Sequence, residues 1–364
     1  MFFVFVLPTL IITSGIPPSI YLDNARQIYH KTVYHKPEHS NAVCTLERIG
    51  SRRLIVSLED DFSPSWLAYR LFDIHHDSFF NLQTSNIEDA LALHKSFPCG
   101  IGGVHLTPSI IYTTDDIKGL SDKISENFSV TLVEKNGQKT IKPIIAIDFP
   151  DEGGWNNRVS MLKFDNCCYD LLKLAGINVL WGPTLDSVYT EEQLDQILSQ
   201  DLLTTLPRKT IMFFKHFGLE RVDETKMTEN VDTHKNLVSV KRSQESLERE
   251  WRKLTTFAEK NELPTGVMIS HVIVSNLENK PLTFSSIVPK LLENTKNVFT
   301  VSDSLDMLKN TSPSFNAADW ANSVTDLVLW VNYYSGVSFS NVATNEPINP
   351  DNLLKISNYL GLIE

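Results

Sequence analysis

No HExxH pair, P-loop or GxSxG elbow occurs in the 364 residues. The sequence therefore offers no local signature of a helix-borne zinc hydrolase, a nucleotide triphosphatase or a serine hydrolase of the α/β type. "CGIGG" (99–103) lacks the GxGxxG spacing of a dinucleotide-binding turn, and its glycines run into a β-rich stretch. Cysteine is scarce: Cys44, Cys99, Cys167 and Cys168, with no CxxC pair, read as buried thiols rather than a zinc site or a disulfide framework. Positive charge is in deficit, and a formal net charge of −11 argues against nucleic acid or an anionic membrane as the main partner. None of the polar clusters has metal-ligand spacing, so no metal and no cofactor are expected.

Long apolar runs are also missing. The N-terminal "MFFVFVLPTLIITSG" is too short to span a bilayer comfortably and lacks a basic flank. It reads either as a cleaved signal, which would make the chain secreted or periplasmic, or as a buried first segment of a cytoplasmic protein. No membrane span is expected in the mature chain, and oligomeric state is not legible. Two glycosylation sequons, Asn127-Phe-Ser and Asn310-Thr-Ser, matter only where a cell modifies secreted chains.

What is present is a 42% hydrophobic, 21% charged composition, ordinary for a globular protein with a large core. Eight short apolar runs punctuate it: "RLIVSL" (53–58), "GGVHLTP" (102–108), "PIIAID" (143–148), "INVLWGP" (177–183), "TIMFFKHF" (210–217), "GVMISHV" (266–272), "VFTVSD" (298–303) and "LVLWVN" (327–332). They are continuously apolar rather than alternating, as strands buried on both faces are. Helical patterns lie between them, the clearest at 243–261, where Leu247, Trp251, Leu254, Phe257 and Ala258 form one stripe. Others fall at 64–75, 85–96, 116–126, 161–175, 190–205, 286–296, 314–324 and 349–362, the last with Pro350 at its first helical position. "VTLVEKNGQKTIKPI" carries Asn-Gly between two β-rich runs and predicts an inserted hairpin. Eight buried strands alternating with helices predict an α/β fold, a single-domain (β/α)8 TIM barrel over 51–364. Before it come an N-terminal arm (21–50) and the apolar segment (1–20).

In such a barrel, reactive groups gather at the carboxyl ends of the strands. Those ends are polar here: Asp148, Asp186, Lys215 with His216, His271, and Asp303. A helix cap accounts for one such acid but not for the whole set, which predicts a shared site. Asp232 and His234, two apart in "VDTHK", could form a pair in which the carboxylate orients the imidazole.

The order of motifs resembles glycoside hydrolase family 3, in particular its bacterial β-N-acetylglucosaminidase (β-hexosaminidase) branch. The matching stretches are "GIGGVHLTPSIIYTTDDIKGLSDKI", "IAIDFPDEGG", "LAGINVLWGPTLD", "FFKHF", "VDTHK", "GVMISHV…KPLTFSS" and "VSDSLDM", in order from about residue 98 to 335. The resemblance implies a retaining glycosidase that cleaves terminal β-linked GlcNAc from peptidoglycan or chitin-type oligosaccharides. By that resemblance Asp303 is the nucleophile and His234 the general acid/base, oriented by Asp232. Asp148, Arg158, Lys215, His216 and Met307 would bind the sugar. A retaining mechanism needs a carboxylate beneath the anomeric carbon and a proton donor opposite it, which these residue types supply. No Arg follows Asp186 where the branch carries one, "GLERV" replaces the stretch after "KHF", and Ser304 stands in place of a second Asp. Those departures motivate two alternatives: a catalytically impaired barrel that binds glycans or acts as a scaffold, and a GlcNAc phosphorylase.

Overall fold

Eight parallel strands close on one another in the computed structural model, which describes residues 42–58, 87, 90–106, 117–148, 176–185, 191–199, 206, 208–219, 237–260, 262–293, 295–305, 307–308, 322–330 and 350–364. The barrel strands are β1 (Leu54–Ser57), β2 (Gly103–Leu106), β5 (Ile144–Asp148), β6 (Val179–Thr184), β7 (Ile211–Phe217), β9 (Thr265–Ile269), β11 (Val298–Ser302) and β12 (Leu327–Trp330). Each pairs with the next barrel strand in the chain, and β12 closes the ring on β1 through Leu54 opposite Val328. All eight apolar runs of the sequence are barrel strands, as expected of the (β/α)8 fold. Their residues are buried almost throughout because helices cover the outside while the ring fills its own centre.

The two faces of the strands sort cleanly. Ile55, Ala146, Val179, Trp181, Ile211, Phe213, Met268, Phe299, Val301, Leu327 and Leu329 belong to one apolar cluster, the barrel interior. Their immediate neighbours Leu54, Val56, Ile145, Ile147, Leu180, Met212, Val328 and Trp330 pack outward against helices. Gly266 also faces the interior, and its missing side chain makes room for Phe213: an added Cβ would lie 2.1 Å from that ring. The Phe213 ring in turn meets Trp181 edge-on, centroids 5.0 Å apart.

Five α-helices have both ends among the described residues: α1 (Ile117–Phe128), α2 (Glu191–Ser199), α3 (Gln244–Lys260), α4 (Ile287–Leu292) and α5 (Pro350–Tyr359). On α3, Leu247, Trp251, Leu254 and Ala258 are buried as the stripe predicts. Its start is capped by Ser243, whose Oγ accepts the Ser246 N–H at 3.1 Å. The end of α5 is closed by the Leu362 N–H donating to the Ser357 carbonyl and the Gly361 N–H to that of Asn358, with Gly361 at φ 68°. That left-handed residue suits glycine. The predicted helices at 64–75 and 161–175, and residues 314–321 of the one at 314–324, lie outside the described residues; 322–324, which are described, are not α-helical.

The inserted hairpin is also present, as β3 (Val130–Glu134) and β4 (Gly137–Ile141), turning through Lys135-Asn136 with Glu134 paired to Gly137. Its outer edge is covered by residues 362–364, where Thr140 and Glu364 exchange both backbone hydrogen bonds at 2.9 Å. A further short parallel pair joins β8 (Ser239–Val240) and β10 (Ile273–Val274).

Beneath the amino ends of the strands, two consecutive buried arginines tie the floor together. Arg52 donates to the carbonyls of Ile101 (2.6 Å), Lys142 (2.7 Å) and Phe128 (3.3 Å). Arg53 donates to those of Ser323 (2.7 Å), Asp326 (3.3 Å) and Thr325. Burial lowers the Arg52 pKa to about 9. Cys44 and Cys99 form a disulfide here, both sulfurs buried. This corrects the expectation of free thiols: 55 residues separate the pair in sequence, and only the fold brings their Cα atoms to 4.6 Å. Cys167 and Cys168 fall outside the described residues.

Candidate functional site at the carboxyl mouth of the barrel

Strand register decides which polar residues share the mouth. Counting up each strand from the interior cluster in steps of two, the last inward positions are Ser57, His105, Asp148 and Lys215, and beyond the end of β11, Asp303. These residues come from five different strands and from five separate stretches of sequence. The barrel converts them into one polar layer above the apolar interior.

Asp148 is the centre of one half of that layer. Its Oδ1 accepts from Lys215 Nζ at 2.7 Å, and its Oδ2 lies 3.2 Å from His105 Nε2. The His105 contact is close but off the direction of a ring N–H hydrogen bond, and among the described residues neither ring nitrogen of this buried side chain has such a partner. Burial pushes the Asp148 carboxyl up, but the Lys215 ammonium and then His105 outweigh it. The net effect holds the carboxyl well below the usual carboxylate range, so it is ionised at any working pH. Both side chains of the Asp148–Lys215 pair keep some contact with solvent.

Asp303 forms the other half. It is 5% exposed, and its Oδ1 accepts the Ser304 backbone N–H at 2.7 Å. Oδ2 is buried without a hydrogen bond among the described residues, 3.4 Å from His216 Nε2. By simple alternation His216, next to inward Lys215, would point outward. The pairing between β7 and β9 shifts between Phe214 and Phe217, and His216 adopts φ 66°, a left-handed conformation costly for a residue with a Cβ. The irregularity turns the imidazole back over the mouth, where Nδ1 also meets Thr184 Oγ1 at 3.3 Å.

His271 has a different part. Its Nδ1 pairs with Thr283 Oγ1 at 2.8 Å and its Nε2 with the Ser304 carbonyl at 3.0 Å. A carbonyl can only accept, so Nε2 carries a proton and donates it to Ser304. His271 holds the Asp303–Ser304 turn; it is not one more group facing the mouth.

Of the residues singled out in the sequence, Asp148 meets Lys215 and His216 meets Asp303. Met307 is buried just past the Asp303 turn, its N–H donating to the Ser304 carbonyl at 3.2 Å. Arg158, Asp186, Asp232 and His234 lie outside the described residues. His105 and Thr184 were not singled out. The signal for His105 was its place in "GGVHLTP", on the inward register at the end of a strand; for Thr184 there was none, because it reaches His216 through an irregular pairing. Among the described residues no cluster of His, Cys, Asp and Glu has the geometry to hold a metal ion, and no helix is long and apolar enough to cross a membrane.

No family model matches the chain, and no curated protein matches it. Among solved structures it is similar to CbsA from Thermotoga neapolitana, with a TM-score of 0.50 and 16% identity over 85% of this chain and 69% of that one. A zinc-bound form of the same CbsA gives the same TM-score and identity over 70% of its length. SacUVDE aligns over 85% of this chain with a TM-score of 0.37 and 11% identity.

The assignment to glycoside hydrolase family 3 is therefore corrected. That family's model is not matched, and the likeness to CbsA, at 16% identity, extends to the barrel alone. The β-N-acetylhexosaminidase activity and the glycosidase class fall with it, and neither the scaffold nor the phosphorylase alternative is favoured. The physical reason lies in the motifs themselves. All but "VDTHK" span an apolar strand or its polar carboxyl end, a pattern that the architecture imposes on barrels of many functions.

Proposed function

We propose that the carboxyl mouth of the barrel binds a small, uncharged, polyhydroxylated ligand of the carbohydrate class. The observation that carries this reading is the ionised Asp148 set beside Lys215, an acceptor and a donor 2.7 Å apart and both within reach of solvent. Each hydroxyl of a vicinal diol is both donor and acceptor, so such a pair can take two neighbouring hydroxyls at once. A ligand lacking one of them would leave a partly buried charge unanswered, which gives selectivity. The net charge of −11 favours a neutral ligand over a polyanion.

Asp303 and His216 are assigned proton exchange with that ligand. Asp303 Oδ2 is buried and without a hydrogen bond among the described residues, next to an imidazole that a strained backbone directs toward it. Arg158, and Asp232 with His234, follow the carboxyl ends of β5 and β7 in chain order and are retained in the proposal on that ground. Met307 is assigned to the wall beside Asp303.

Titration calorimetry of the full chain against a panel of neutral mono- and disaccharides tests the reading, with inositol and a sugar phosphate as controls. Binding of at least one neutral sugar is expected, weakened at least tenfold by Asp148→Asn and by Lys215→Met. If no member of the panel binds, or if both variants bind as the parent does, the reading is wrong.

A further inference from the structure

The sequon Asn127-Phe128-Ser129 is absorbed by nothing in the mouth of the barrel. It ends α1, and its middle residue anchors the helix. Phe128 is fully buried, its ring edge-on to His94 with centroids 5.2 Å apart. Burying Phe128 turns its neighbour outward, and Asn127 is partly exposed at the surface. Its Nδ2 donates one hydrogen to the Lys123 carbonyl at 2.7 Å, and an amide nitrogen carries two. Ser129, the hydroxyl of the sequon, hydrogen-bonds back to the Ser125 carbonyl. Both contacts belong to the last turn of a helix, the part that opens at least cost.

An independent observation concerns the compartment. The Cys44–Cys99 bond crosses 55 residues and is buried in the floor of the barrel. Disulfides of this structural kind persist where the surroundings are oxidising and are rare in the cytosol. In eukaryotic cells the lumen that supplies those conditions is also where asparagine is glycosylated. Position agrees as well. Arg52, directly before β1, reaches the Phe128 carbonyl, so Asn127 stands at the amino end of the barrel, opposite Asp148 and Asp303. A glycan there leaves the mouth open.

We propose that Asn127 is an N-glycan attachment site on a chain that matures in an oxidising, glycosylating compartment. The co-reactant is an oligosaccharide linked to a lipid pyrophosphate. Asn127 Nδ2 attacks its anomeric carbon. The new C–N bond replaces the bond to the pyrophosphate oxygen, the lipid pyrophosphate departs with the electron pair, and one amide proton is lost to the transferase. No oxidant or reductant is consumed in that transfer.

The full chain, expressed through the secretory route of a eukaryotic cell, is mapped by mass spectrometry without reduction, before and after peptide N-glycanase. The Asn127 peptide is expected to carry glycan and to return as its Asp form after the enzyme. Asn127→Gln and Ser129→Ala lose that modification, Ser129→Thr keeps it, and an Asn310→Gln background removes the second sequon from the gel pattern. Cys44 and Cys99 are expected in one disulfide-linked peptide. An unmodified Asn127 in chains whose Cys44–Cys99 bond has formed overturns the site. Recovery of both cysteines as free thiols overturns the compartment.

Discussion

Lowering the pH from about 7 to about 5 is expected to remove about 2 kcal/mol of stability through His94 alone. His94 lies in the floor of the barrel, where its Nδ1 accepts the Ile101 N–H at 3.2 Å, the Phe128 ring meets it edge-on, and Gly100 leaves no room above it. Burial lowers its pKa from 6.5 to about 3, helped by the positive charges of Arg52 and Lys95. The unfolded chain takes up a proton there near pH 6.5 and the folded chain does not until about pH 3. Stability is therefore complete above the upper value and is lost progressively as pH falls through the interval. Each unit of that interval is worth about 1.4 kcal/mol, so the 1.5 units or so between the unfolded pKa and pH 5 amount to about 2 kcal/mol. Urea unfolding at a series of pH values measures this in the parent and in His94→Gln, whose side-chain carbonyl can still accept the Ile101 N–H. The variant starts from lower stability but loses it less steeply, by close to one proton between about pH 6 and 4. Identical slopes in the two proteins would refute the reasoning, whatever their absolute stabilities.

Reducing the Cys44–Cys99 bond opens a closed loop of 55 residues and is expected to cost about 4 kcal/mol on chain-entropy grounds, read as a lower urea midpoint in Cys44→Ser/Cys99→Ser. Gly266→Ala places a Cβ 2.1 Å from the Phe213 ring and is expected to lose about 1–3 kcal/mol by overpacking; Phe213→Leu in the same chain should return part of it. The lowered pKa of Asp148 contributes stability that is present above the unfolded value near 4 and is lost as pH falls below it. Lys215→Met should weaken that acid dependence as well as ligand binding. His271→Ala is expected to loosen the Asp303–Ser304 turn, seen as faster amide exchange at Ser304, while His271→Gln restores most of the protection.

The barrel was legible because its strands have no polar face. A strand covered by helices outside and by seven other strands inside must be apolar along most of its length, and runs such as "PIIAID" and "INVLWGP" announce that directly. The hairpin showed itself in Asn136-Gly137, and α3 in the spacing of Leu247, Trp251, Leu254 and Ala258. Half of the site was legible for the same reason: Asp148 and Lys215 end their strands, and a polar group there has few places to go. His216 was picked out for its strand end too, but its orientation rests on a shifted register that no local pattern encodes. The meeting of Cys44 with Cys99 is equally silent in sequence. The expected family failed because strand ends of one architecture resemble one another whatever chemistry they carry.

Taken alone, the sequence determined that eight buried strands alternate with amphipathic helices and that charge collects where those strands end, since both follow from local composition and periodicity. Only the closed ring decided that His105, Asp148, Lys215 and Asp303 share one layer, that His271 serves a turn instead of the mouth, and that Arg52 and Arg53 bind the floor through carbonyls. Those relations join residues tens to hundreds of positions apart. They exist because strand pairing fixes register, and register fixes which side chains look inward at the same height.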